Sequence, residues 1–180
     1  MKTTQETYTS KNDKNIIVRN ATECDAATLV ALKKGYIRGT TTIPLYEHEY
    51  KNTTEQEAKL ITKYNTEANS ILLVAECDGE LIGNIDITGN QRQKLQHTAM
   101  LGMGVANNWQ NTGVGSCLMN SALKTIAQTV VSIVWLEVYA SNIAGLKLYE
   151  KFRFEKCGAI KNFFNETAPI DKITMVKYIK

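Results

Sequence analysis

The chain carries only two histidines, two prolines and two tryptophans in 180 residues. With histidine so scarce, and no Cys-x-x-Cys among Cys24, Cys77, Cys117 and Cys157, neither a structural nor a catalytic zinc site has a ligand set. The four thiols lie 53, 40 and 40 residues apart and read as reduced residues of the core or its margin. No apolar run reaches the ~18–20 residues of a membrane span. The longest candidate, Thr129 to Val138, is short and interrupted. The opening stretch MKTTQETYTSKNDKN has no apolar segment of the kind a secretory signal needs. A charge excess of one sign is also missing. Lys+Arg number 21 and Asp+Glu 18, and a net +3 does not by itself indicate a nucleic-acid binder. These absences point to a soluble, cytoplasmic protein with neither nucleic acid nor membrane as a partner.

What is present is a foldable core. Hydrophobic residues make up 43%, and a chain this long buries about 70% of its unfolded surface without disulfide staples. Charged residues at 22% argue against bulk disorder. Residues 1–14 are polar and without periodicity, which predicts a flexible tail ahead of a single domain over 15–180.

Asn15–Arg19 reads as a strand, Thr22-x-x-Asp25 as a helix start, and Thr54-x-x-Glu57 as a capping box opening a second helix. Ser70–Cys77, Asp78-Gly79 and Leu81–Thr88 read as a hairpin, followed by a strand over Gln96–Val105. A helix is predicted from Gly113 to about Gln128, with Val114, Leu118, Ala122 and Ile126 along one face. A strand over Val131–Tyr139, a helix from Asn142 to about Phe152, and strands over Phe154–Ile160 and Ile170–Ile179 complete the chain. The order β-α-α-β-β-β-α-β-α-β-β is an α/β arrangement. Its natural solution is a mixed, mostly antiparallel sheet with helices on both faces.

Two segments carry chemistry. Gln110-Asn-Thr-Gly113-Val-Gly115 lies between a predicted strand and a predicted helix. Its glycines let backbone amides approach a ligand, and the helix N-terminus behind them favours an anion such as a pyrophosphate. Gly-Lys-Ser/Thr is missing, so this is no Walker loop. No third glycine stands where the Rossmann fingerprint requires one. The second segment is Leu136-Glu137-Val-Tyr-Ala-Ser-Asn142-Ile-Ala-Gly-Leu-Lys-Leu-Tyr149-Glu-Lys-Phe-Arg153-Phe154. Alternation puts Trp135, Glu137 and Tyr139 on one strand face.

Q-x-x-G-x-G opening a helix, followed by L-E-V-x-x-S-N and L-Y-E-K-x-x-F, resembles the GNAT superfamily of acetyl-CoA-dependent N-acetyltransferases. The second segment is most similar to the ribosomal-protein alanine N-acetyltransferase group. The resemblance is firm over residues 71–180 and looser over 15–70. It implies a GNAT fold, with acetyl-CoA as cosubstrate and transfer of the acetyl group to a primary amine by direct attack. The acceptor is a small amine or a protein N-terminus; an open cleft favours the peptide, and a closed pocket lined by residues 36–50 favours the small amine. A non-catalytic acyl-CoA-binding sensor with the same fold is the alternative, and a homodimer is left open.

By the same resemblance, Met103, Gly104 and Val105 bond the coenzyme arm. Gln110, Asn111, Thr112, Gly113, Val114, Gly115 and Ser116 cradle its pyrophosphate. Asn142 contacts the arm or caps the last helix. Tyr149 is the general acid for the departing thiolate, or else a core aromatic. Glu137 is the general base, its pKa raised by partial burial, or else a salt-bridged strand carboxylate. His97 is the alternative base, or an edge histidine. Arg153 stands where the family usually has glycine. Residues 47–80 sum to −5 and residues 91–180 to +6, which suits a cationic amine at one end and an anionic coenzyme at the other.

Overall fold

The computed structural model describes residues 5–179. Twelve principal elements run in the order β1 (Gln5–Thr9), β2 (Asn15–Asn20), α1 (Ala26–Arg38), α2 (Thr54–Thr66), β3 (Ile71–Cys77), β4 (Glu80–Gly89), β5 (Thr98–Val105), α3 (Val114–Ile126), β6 (Ile133–Tyr139), α4 (Ile143–Lys151), β7 (Glu155–Asn165) and β8 (Pro169–Tyr178). The strands form one sheet in the order β1-β2-β3-β4-β5-β6-β8-β7. Every neighbouring pair is antiparallel except β5 and β6.

The two faces of the sheet follow from the period of two along β3. Leu73 and Ala75 join a core with Leu118, Ala122 and Ile126 of α3 and Tyr149 of α4. Leu72 and Val74 point the other way, into a second core with Leu29 of α1 and Ile61 of α2. A strand buried on both faces has to be apolar at nearly every position, and ILLVAEC is. Asp78 and Gly79 turn the chain into β4 with φ of 50° and 84°, the pair of positive values that a tight hairpin requires.

Two sequence expectations are corrected here. Of the predicted tail, residues 1–4 lie outside the described part, but residues 5–9 form β1 and pair along β2. Glu6 binds Lys124 of α3, and the Tyr8 hydroxyl lies 2.8 Å from Ser121 Oγ. Composition does not reveal the strand because its alternation, QETYT, is carried by polar residues that pack through hydrogen bonds. The capping box of α2 is shifted by one residue. Thr53 is the cap, its Oγ1 accepting from Gln56 N at 3.2 Å while Gln56 Oε1 accepts from Thr53 N at 2.8 Å. Both registers satisfy the box pattern. The buried Glu57 is used elsewhere, accepting from Lys33 Nζ (2.5 Å), Tyr50 Oη (2.8 Å) and Asn52 Nδ2 (3.0 Å).

Cys77 and Cys117 are buried as expected for core thiols, whereas Cys24 and Cys157 are exposed. No helix among the described residues is long and apolar enough to cross a membrane.

Candidate active site

β5 and β6 are paired only over Thr98–Met100 and Ile133–Trp135. Beyond Met100 the two parallel strands part, while β5 stays registered on β4 as far as Val105. A cleft of about 880 Å³ opens along this divergence, within the ~300–1,000 Å³ range of small-molecule sites. The edge that β5 turns toward it has no strand partner there, so its amides and carbonyls are free to bond an extended ligand arm. Met103 and Val105 line the cleft. Gly104 does not. The Tyr36 ring packs against it, so closely that an added Cβ would lie 2.2 Å from Cζ, and the glycine is there to admit that ring.

At one end of the cleft stands the predicted anion cradle. Asn111 and Gly113 take φ of 62° and 103°, and the chain then enters α3 directly. Alternate residues in this left-handed region turn successive amides toward one side, and the first amides of the helix lack intrahelical acceptors. Gln110, Asn111, Gly113, Gly115 and Ser116 line the cleft. The side chains of Thr112 and Val114 do not belong to that lining. Thr112 Oγ1 donates to Trp109 O at 2.6 Å and holds the turn, and Val114 is 1% exposed in the core. An added Cβ on Gly115 would come within 3.1 Å of Leu148 Cδ2, so this glycine permits α4 to approach α3 beside the cradle. The cradle and the unpaired β5 edge together fit a ligand with a pyrophosphate and an extended arm, as acetyl-CoA has.

α4 brings two predicted residues to the same cleft. Asn142 caps the helix, its Oδ1 accepting from Gly145 N at 2.9 Å, and also lines the cleft, so both proposed roles are geometrically open to it. Tyr149 sits in the wall, its ring edge-on to Phe154 at 6.0 Å. Burial pushes its phenol up to about 12. Among the described residues its hydroxyl has no hydrogen-bond partner. Arg153, just past the helix, adopts φ 60°, the left-handed conformation for which glycine is the least strained residue.

The structure places the candidate bases in different surroundings. His97 is exposed, precedes β5 and lies outside the cleft; its backbone oxygen accepts from Ser132 and Ile133. Glu137 does line the cleft, but its Oε1 accepts from Lys172 Nζ at 2.7 Å, and that ammonium lies 3.9 Å from the Phe163 ring centroid. It is the ion-paired strand carboxylate that the sequence also allowed.

The cleft holds a second carboxylate that the sequence motifs do not single out. Asp86 on β4 lines the cleft, faces Gly102 across the β4–β5 register and accepts from Tyr64 Oη at 3.3 Å. Burial raises its pKa to about 6, against the opposing pull of Lys33. An added Cβ on Gly102 would lie 3.1 Å from its Oδ1, so the absence of a side chain there leaves room beside the carboxylate. The signal was present: in LIGNIDIT the period of two sets Asn84, Asp86 and Thr88 in one polar row on an otherwise apolar strand.

This geometry has known counterparts. The L-amino acid N-acetyltransferase AaaT of Escherichia coli K12 is 34% identical over 92 residues, which is 51% of this chain and 57% of that protein. The chain therefore aligns with little more than half of that relative's length. The ribosomal protein bS18-alanine N-acetyltransferase of the same organism is 27% identical over 101 residues, covering 52% of this chain and 68% of its own. Among solved structures, an acetyltransferase of the GNAT family from Streptococcus pneumoniae superposes with a TM-score of 0.89 at 27% identity, over 92% of this chain and 99% of that one. The profile of the acetyltransferase (GNAT) family matches residues 38–154, well over half of the sequence, and with the parted β5 and β6 and the cradle before α3 the chain belongs to that family.

Proposed function

We propose that the protein is an N-acetyltransferase that takes its acetyl group from acetyl-CoA and gives it to a small primary amine of the free amino acid class. One observation carries this reading: a single cleft is lined by the anion cradle, by the protonated phenol of Tyr149 and by the partly buried carboxylate of Asp86. When bound, acetyl-CoA supplies an acetyl thioester open to attack by a neutral amine.

Asp86 is the base in this scheme. A carboxylate with a pKa near 6 is ionised at neutral pH, yet basic enough to take the proton of an attacking amine. Glu137 is the weaker choice because Lys172 occupies one of its oxygens. Tyr149 keeps its proton. Transfer from a phenol near 12 to a thiolate of pKa ~8.5 would be uphill by roughly 5 kcal/mol. Its role is therefore to donate a hydrogen bond to the sulfur as negative charge develops there. The cradle amides and Asn142 hold the donor in register.

The acceptor end supports a small substrate. Ile37 of α1 and Thr40, Ile43, Pro44, Leu45 and Tyr50 of the segment that follows it form one wall of the cleft. That wall favours a compact amine over a polypeptide terminus. A relative that acts on L-amino acids adds weight to the choice. The test is thiol release from acetyl-CoA across a panel of amino acids, other small amines and short peptides. Turnover with free amino acids is expected. Turnover confined to peptides would refute the acceptor assignment, and binding of acetyl-CoA without turnover on any amine would refute the enzymatic one.

A further inference from the structure

We propose that the N-terminal hairpin β1–β2 is part of the coenzyme site, and that Lys11 in its turn binds the pyrophosphate of acetyl-CoA. The inference rests on the reading of the cleft as an acetyl-CoA site and extends it to a segment that composition marks as a tail. Three observations place the hairpin there. Lys11 N donates to Thr112 O at 2.8 Å, which ties the turn to the cradle loop through the backbone. Lys11 Cγ lies 3.9 Å from the position of a Cβ on Gly113, the residue that opens α3. Lys11 also lines the same cleft as Asn111, Gly113 and Ser116.

The hairpin is held in this position and does not merely lie over it. Glu6 binds Lys124, and Tyr8 shares a hydrogen bond with Ser121, both on α3, whose N-terminus the turn covers. The turn is internally braced, with Ser10 Oγ accepting from Lys14 N at 3.0 Å. Among the described residues the Lys11 ammonium has no carboxylate partner. Lysines line the cleft along its length, but the carboxylates do not: Asp86, which feels Lys33, and Glu137, which is paired with Lys172, lie on β4 and β6. Lys11 and Lys151 flank the cradle, and Lys151 Nζ donates to Ser116 Oγ at 3.1 Å. A lysine ammonium meets a phosphate as a mobile point charge, so an exposed side chain on a braced turn suffices.

The experiment is calorimetric binding of acetyl-CoA, CoA and 3′-dephospho-CoA to the full chain and to its Lys11→Ala and Lys11→Arg variants, at two salt concentrations. Lys11→Ala is expected to raise Kd about three- to tenfold for all three ligands and to flatten the salt dependence, while Lys11→Arg stays within about twofold. An unchanged melting temperature of the ligand-free Lys11→Ala protein is expected with these shifts. A Kd for Lys11→Ala within about twofold of the parent would overturn the proposal. So would a loss that disappears with 3′-dephospho-CoA, because the contact would then be to the 3′-phosphate. Failure of the parent chain to bind any of the three would overturn the underlying acetyl-CoA reading as well.

Discussion

Replacing Asp86 by Asn keeps the shape of the side chain and removes its titration, so it separates chemistry from packing. A general base contributes about 10²–10⁴ in rate, and kcat should fall by that factor with the Kd for acetyl-CoA unchanged. The stability effect runs the opposite way. The carboxyl ionises near 3.9 in an unfolded chain and near 6 in the cleft. Between those values the folded state binds more protons than the unfolded one, so stability falls as pH rises through this window and the full penalty stands above it. The shift corresponds to up to about 3 kcal/mol at pH 8, and Asp86→Asn should recover much of that as a melting temperature several degrees higher. Below pH ~4 the two proteins should melt alike. Steady-state kinetics from pH 5 to 9 with thiol detection, together with thermal melts over the same range, test both halves. The acidic limb near pH 6 should vanish in Asp86→Asn and persist in Glu137→Gln. An acidic limb that survives in Asp86→Asn, with kcat within about threefold of the parent, would refute the assignment of the base.

Tyr149→Phe removes one donor to a developing thiolate, a contribution of about 1.5–3 kcal/mol; kcat should drop roughly 10- to 150-fold while calorimetric binding of acetyl-CoA stays the same. Arg153→Gly relieves a left-handed backbone at φ 60° and should stabilise the fold by up to about 1 kcal/mol in urea melts, less whatever entropy glycine adds to the unfolded chain. Lys33→Met leaves Glu57 buried with only Tyr50 and Asn52 as partners, and a loss of about 2–4 kcal/mol is expected by the same measurement.

The cradle was the most legible part of the site, because Gln110 to Ser116 are contiguous and their work is done by backbone. Spacing and the two glycines marked the turn, and the resemblance carried by the second segment gave it a ligand. Tyr149 and Asn142 were legible for a related reason: each sits at a set offset within one helix and its cap. The proposed base was less so. Glu137 and Asp86 both lie on strands that a pattern of alternation describes equally well, and only the partners separate them. Lys172, far along the chain on β8, pairs with Glu137, while Gly102 on β5 leaves room beside Asp86. Neither partner is within reach of any local motif. The hairpin that begins the described chain shows the same limit, since besides its own β1–β2 pairing its polar residues are held by Lys124 and Ser121, more than a hundred residues away.

The sequence by itself thus determined the alternation of elements, the two-sided burial of β3 and the place of the cradle, because local periodicity and glycine chemistry act over a few residues. The tertiary structure alone decided which cleft carboxylate is ion-paired and which is desolvated, that the segment after α1 lines the cleft, and that Lys11 lies beside α3. Those are matters of burial and of charges meeting across the sheet. Desolvation and ion pairing depend on what surrounds a group in space, whatever its neighbours are along the chain.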